Sequence, residues 1–178
     1  FTSGRDGDLD LYSMRSDGSD VKRLTHEIGY DGGGFFSADG KKIVWRASRP
    51  KTDAEKAAYQ DLRDNHTIRP MALEIFIADA DGSNVKQLTT NGAANFCPFF
   101  TPDGKRIIFA SNMAAPQGRN FDLWLINVDG TGLEQVTFDP TFDGFPMFSP
   151  DGKRLVFASN RNSKGRTDTN IYVADWVD

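Results

Sequence analysis

The feature that most limits what this chain can fold into is a module that returns along its length. Phe35-Phe36-Ser37-Ala38-Asp39-Gly40-Lys41-Lys42-Ile43-Val44-Trp45 recurs as Phe99-Phe100-Thr101-Pro102-Asp103-Gly104-Lys105-Arg106-Ile107-Ile108-Phe109. It returns as Met147-Phe148-Ser149-Pro150-Asp151-Gly152-Lys153-Arg154-Leu155-Val156-Phe157. A second unit alternates with it: Leu11–Gly18, Ile75–Gly82 and Leu123–Gly130 each run from apolar residues into Asp-Gly. Both Asp-Gly markers step together, from 39 to 103 to 151 and from 17 to 81 to 129. A whole module therefore repeats, and one copy carries roughly 16 extra residues.

Each module reads as four short strands, A to D. Aromatic and β-branched runs are separated by Asp-Gly, where glycine supplies the positive φ of a tight hairpin. Strands B and C carry apolar residues at consecutive positions, so both faces of each sheet must be covered. That pattern fits blades stacked around an axis better than a one-sided sheet. The expected fold is all-β: a β-propeller of four-stranded antiparallel blades, about three and a half in this chain. Its expected parts are 1–26, 27–89, 90–137 and 138–178, one partial propeller domain over 1–178.

The run 148–160, Phe-Ser-Pro-Asp-Gly-Lys-Arg-Leu-Val-Phe-Ala-Ser-Asn, with Asp-Gly-Thr-Gly-Leu-Glu-Gln-Val-Thr at 129–137, resembles the repeat of TolB-family (WD-like) propellers. The propellers of prolyl-oligopeptidase-like enzymes have similar blades. The resemblance covers nearly the whole chain except about 50–70. It implies an exported protein, periplasmic or extracellular, that docks a protein partner. Such a repeat is strong for fold and weak for any one function.

Phe1-Thr2-Ser3 matches Phe109-Ala110-Ser111, so the sequence starts at the end of a strand B, and Asn170–Trp176 reads as a strand C without a following D. The count is C–D, A–B–C–D, A–B–C–D, A–B–C. An open half-ring would leave unpaired sheet edges. The expectation is a C-terminal portion of a longer chain, its ring completed by missing N-terminal blades or by other copies.

Residues 50–70 break the second module, between strands B and C. Thr52 followed by Glu55 has the spacing of a capping box, and Ala54, Ala58 and Leu62 form a narrow apolar stripe. A short surface helix near 53–64 is expected, ended well before Pro70. It is either a decoration or a docking element.

Strands alternate in direction, so D–A and B–C connections share one rim, and A–B and C–D hairpins share the other. Asp31, Asn95 and Asp143 occupy one repeat position just before strand A and are expected to ring the channel mouth. The insertion and the loops at 112–120 and 161–169 lie on that same rim, whereas the opposite rim has tight Asp-Gly turns. The three polar residues are read either as caps of backbone groups or as a binding site. Oxygen ligands of this kind suit a hard cation such as Ca²⁺, although no cofactor is required. Arg46 stands where the other copies have Ala110 and Ala158. With Arg49 nearby, it reads as a local bulge, a surface charge, or an anchor for an acidic group on a partner.

Motifs for chemistry are sparse. No Gly-x-Ser-x-Gly elbow occurs, and His26 and His66, the two histidines, form no HExxH motif. Asp79-Ala80-Asp81-Gly82 reads as a hairpin turn rather than a calcium loop, because its glycine is misplaced for an EF-hand. Gly32-Gly33-Gly34 leads into a strand, so it is no phosphate loop. The net charge of -4 gives no electrostatic reason to bind nucleic acid, and no apolar run approaches a membrane span. Cys97 is the one cysteine and reads as a buried, inert thiol. A protein-binding propeller is the first expectation. An accessory propeller of a peptidase, or a propeller enzyme with a channel-mouth metal, are the alternatives.

Overall fold

A computed structural model describes residues 1–69, 72–116, 118–163 and 168–177. Pro70 and residues 164–167 of the loop at 161–169 therefore lie outside the described residues. The strands form four antiparallel sheets. The first holds β1 (Thr2–Ser3), β2 (Asp10–Ser13) and β3 (Lys22–Arg23). The second holds β4 (Asp31–Phe36), β5 (Lys42–Ala47), β6 (Glu74–Asp79) and β7 (Lys86–Gln87). The third runs β8 (Asn95–Phe100), β9 (Arg106–Ser111), β10 (Asp122–Asn127), β11 (Glu134–Gln135), and the fourth β12 (Asp143–Phe148), β13 (Arg154–Ser159), β14 (Asn170–Asp175). Within each sheet neighbouring strands are consecutive in sequence, which is the up-and-down order of a propeller blade.

Local chemistry explains why the repeat folds this way. At the A–B turns, the hydroxyls of Ser37, Thr101 and Ser149 donate to Asp39, Asp103 and Asp151 at 2.6 Å each. At the C–D turns, Ser19, Ser83 and Thr131 donate in the same way to Asp17, Asp81 and Asp129 at 2.6–2.7 Å. These carboxylates also accept from a backbone N–H two residues on, so each turn is closed by its own side chain. The bonds hold Asp39, Asp81, Asp103, Asp129 and Asp151 below the usual carboxylate range.

Strand faces alternate between two seams. Ile43, Trp45 and Ala47 of β5 pack with Leu11 and Leu24 of the first blade. Val44, between them, packs with Phe100, Ile107 and Phe109 of the third. Ile108 and Ala110 of β9 then pack with Phe148, Leu155 and Phe157 of the fourth. This is the covered-both-sides pattern that the consecutive apolar positions predicted. On β14, by contrast, Ile171 and Val173 are 71% and 62% exposed.

The blades are also stitched by backbone. The N–H of Asp31, Asn95 and Asp143 donates to Leu9, Leu73 and Phe121, each just before strand C of the preceding blade. The inner strands β4, β8 and β12 thus lie side by side, with β8 in contact with both others. Each carries a bulge at the same place, between Gly32 and Phe35, Phe96 and Phe99, and Gly144 and Met147.

The inserted helix α1 (Asp53–Asp64) begins with the expected capping box between Thr52 and Glu55. Its docking face differs from the expected stripe. Ala54 and Ala58 are exposed and Leu62 is half-buried, whereas Tyr59 is buried. Alanines offer little area to cover, while Tyr59 brings a large ring and a hydroxyl that donates to Asp8 of the first blade. Arg63 donates to the Gly7 carbonyl one turn later. The helix therefore bridges its own blade to the first.

Candidate functional site

Asp31, Asn95 and Asp143 open the three inner strands, on the rim expected from the repeat. Each is fully buried in the seam to the preceding blade, with no exposed surface at a channel mouth. Asp31 accepts from the Trp45 indole at 2.6 Å and from Arg49 at 2.7 and 3.1 Å. Asp143 accepts from Arg161 at 2.6 Å. Asn95 donates to the Leu73 carbonyl at 2.7 Å and to Asn91 at 2.9 Å. Burial dominates over the Arg49 and Trp45 bonds at Asp31, so its carboxyl is pushed up to about 6. Asp122, at the start of β10, is also raised, by burial first and by Asp143 and Asp139 next.

These contacts bear on the calcium expectation. Both oxygens of Asp31 face the Arg49 guanidinium, whereas Asp143 turns one oxygen to Arg161 and buries the other without a hydrogen-bond partner; the two carboxylates belong to different blades. Among the described residues no group of three or more acid, His or Cys side chains is arranged to hold a metal ion.

Arg49 is tied within the second blade: beyond Asp31 it reaches Glu27 at 3.2 Å and lies over the Phe76 ring. Arg161 does the same for Asp143, over Phe157 and Tyr172. The sequence reading passed over Arg161, yet a signal was present. Arg49 follows Asp31 by 18 residues, Arg161 follows Asp143 by 18, and the same step from the neutral Asn95 lands on Met113. The cation appears only where the acid does.

Arg46 is different. It sits in regular register opposite Gly32, with the bulge in the facing strand rather than its own. Its guanidinium lies over the rings of Tyr30 and Phe96, at 5.6 and 5.2 Å, and donates to the Tyr30 hydroxyl at 3.0 Å. Beyond it opens a cavity of about 300 Å³ lined by Arg46, Phe96, Cys97, Phe121, Phe142 and Phe145. Those residues come from three successive blades, which a common axis alone brings together. The aromatic rings follow one another at 5.5, 6.0 and 6.2 Å. A Cβ at Gly144 would meet the tip of the Phe142 ring, so the glycine lets that ring lie against the strand as it does here. Cys97, expected to be buried, is only partly buried in this wall. Desolvation raises its thiol, with Arg46 opposing, so it stays protonated and unreactive near neutral pH.

Two further clefts lie under α1, about 240 and 750 Å³, the first lined by Arg49, Tyr59 and Leu62 and the second by Arg63 and His66. Tyr30 lines both and touches Arg46, so the clefts and the aromatic cavity adjoin. The rim thus holds a continuous, partly apolar relief, unlike the Asp-Gly turns opposite. No helix of the described residues is long and apolar enough to cross a membrane.

No protein-family model matches the chain. An uncharacterized protein of Agrobacterium fabrum is 33% identical over 107 residues, 60% of this chain and 30% of that protein. The uncharacterized peptidase YuxL of Bacillus subtilis is 30% identical over 131 residues, 64% of this chain and 20% of its own length. Among solved structures, a protein provisionally assigned as TolB from Agrobacterium tumefaciens aligns over 98% of this chain and 56% of its own. Its TM-score is 0.71 at 24% identity. TolB from Acinetobacter baumannii aligns over 98% of this chain and 37% of its own, with TM-score 0.71 at 22% identity. The chain thus spans less than a third of these curated relatives and 37–56% of these structures. Its sheet order, its stitched inner strands and these alignments agree: the chain has the fold of a TolB-type β-propeller.

Proposed function

We propose that the chain is a non-catalytic protein-interaction scaffold of the cell envelope that docks a partner on the rim bearing α1. The observation that carries this reading is the asymmetry of the two rims. One is closed by short, self-satisfied turns. The other carries a helix anchored through Tyr59 and Arg63, two clefts and an aromatic cavity. Relief and apolar surface on one face mark interaction sites. The exported location rests on the resemblance of the repeat to TolB-family propellers. Excising residues 50–70 in favour of a short loop is expected to abolish capture of the envelope partner while the blades stay folded by circular dichroism. Retention of every partner would refute this choice of face.

A second reading has one observation behind it, the similarity to the Bacillus subtilis peptidase. The propeller would then gate access to a hydrolase domain. Peptide hydrolysis by the complete gene product, with KM shifted by substitutions on this rim, would favour it over the scaffold.

A further inference from the structure

Phe145 holds a conformation that folding alone does not reward. Its φ is +55°, in the left-handed region, and the residue is 61% exposed. The equivalent position in the second blade is Gly33, at φ +66°, where the conformation carries no Cβ penalty. In the third blade it is Cys97, at φ +52°. A bulky residue at positive φ is strained, and a ring that stays in water returns little burial. Strain kept at a pocket wall is a mark of function.

The neighbour across the cavity points the same way. Arg46 meets no carboxylate among the described residues, and its Nε is buried without a hydrogen-bond partner. The other two equivalent positions hold Ala110 and Ala158. The cavity therefore presents an aromatic slot, closed on one side by a guanidinium that lacks an anion. A guanidinium and an apolar slot side by side match the two groups that the last residue of a peptide always offers together: a carboxylate, and a side chain two bonds away. A volume of about 300 Å³ lies at the small end of ligand pockets, which suits one aromatic or branched residue rather than a folded element.

We infer that this cavity captures the C-terminus of a partner polypeptide, Arg46 pairing with the terminal carboxylate and Phe145, Phe142 and Phe121 receiving an aromatic last side chain. The inference rests on the docking-face reading and names a subsite within it.

The test is calorimetric titration of the chain with acetyl-Gly-Gly-Phe, its C-terminal amide, acetyl-Gly-Gly-Ala and phenylacetate. The free acid ending in Phe should bind at least ten-fold more tightly than the other three. Arg46→Met should erase the difference between acid and amide. Phe145→Gly should weaken the acid ten-fold or more while leaving Tm unchanged or raised, a combination that a merely structural ring would not give. No binding of the free acid at millimolar concentration overturns the proposal, as does equal binding of acid and amide. Equal affinity for phenylacetate overturns the peptide assignment, and a lower Tm in Phe145→Gly overturns the role of the ring. A silent titration with partner capture intact would remove the subsite alone. Tripeptide binding with every partner retained after excision of 50–70 would remove the docking face and leave the subsite standing.

Discussion

The seams entering the second and third blades solve one problem in two ways. At Asp31 a buried carboxylate is matched by Arg49 and the Trp45 indole. At Asn95 a neutral amide bonds Asn91 and, in the preceding blade, the Leu73 carbonyl, and the position of the arginine is held by Met113. The backbone bond to the preceding blade is common to both. The charge is therefore not needed to join blades. Where it occurs it must occur as a pair, because an isolated buried ion is far more costly than an amide.

Breaking the pair should produce the largest effect. Arg49→Met leaves Asp31 buried beside an apolar chain and is expected to lower unfolding free energy by about 3–5 kcal/mol at neutral pH, read by urea denaturation. The same measurement at pH 5 should show a smaller loss, since Asp31 can then be protonated.

Protonation gives the next test. The carboxyl of Asp31 titrates higher in the folded chain, about 6, than its ordinary 3.8. The folded state therefore binds more protons between those values, and this group's contribution to stability falls as pH rises through that window. The span corresponds to ~3 kcal/mol. The difference in stability between the wild type and Asp31→Asn should change across pH 4–6 and flatten above it. A constant difference would mean that Asp31 titrates normally.

Converting one seam to the other sharpens the comparison. Asp31→Asn with Arg49→Met copies the Asn95 and Met113 arrangement. It should recover about 1–2 kcal/mol relative to the sum of the single changes, a coupling within the range of contacting pairs. Additivity would show that the two residues do not act as a unit.

The smallest effect concerns the bulges. Phe145→Gly copies Gly33 and should raise stability by up to about 1 kcal/mol or leave it unchanged, measured by thermal unfolding.

How far these features were legible from sequence depends on whether they are local. The Asp-Gly turns and the Thr52–Glu55 cap are satisfied within five residues, so spacing alone revealed them, and with them the sheet order. Repeat position likewise placed Asp31, Asn95 and Asp143 on one rim. It could not say whether their side chains turn toward the axis or into the seam, because that depends on partners 18 residues away or in another blade. Tyr59 was passed over because its reward, the contact with Asp8, lies 51 residues off. The strain at Phe145 was hidden for a related reason. A positive φ leaves its clearest trace when the residue is glycine, and here the trace was Gly33, two blades earlier.

The claim on which the function depends is that the rim with the aromatic cavity, and not the rim of Asp-Gly turns, meets the partner. Site-specific photo-cross-linking in intact cells tests it, with a benzoylphenylalanine placed at position 145 or, in the opposite rim, at position 131. A discrete protein adduct from 145 and none from 131 is the result predicted. An adduct from 131 with none from 145 would contradict the account.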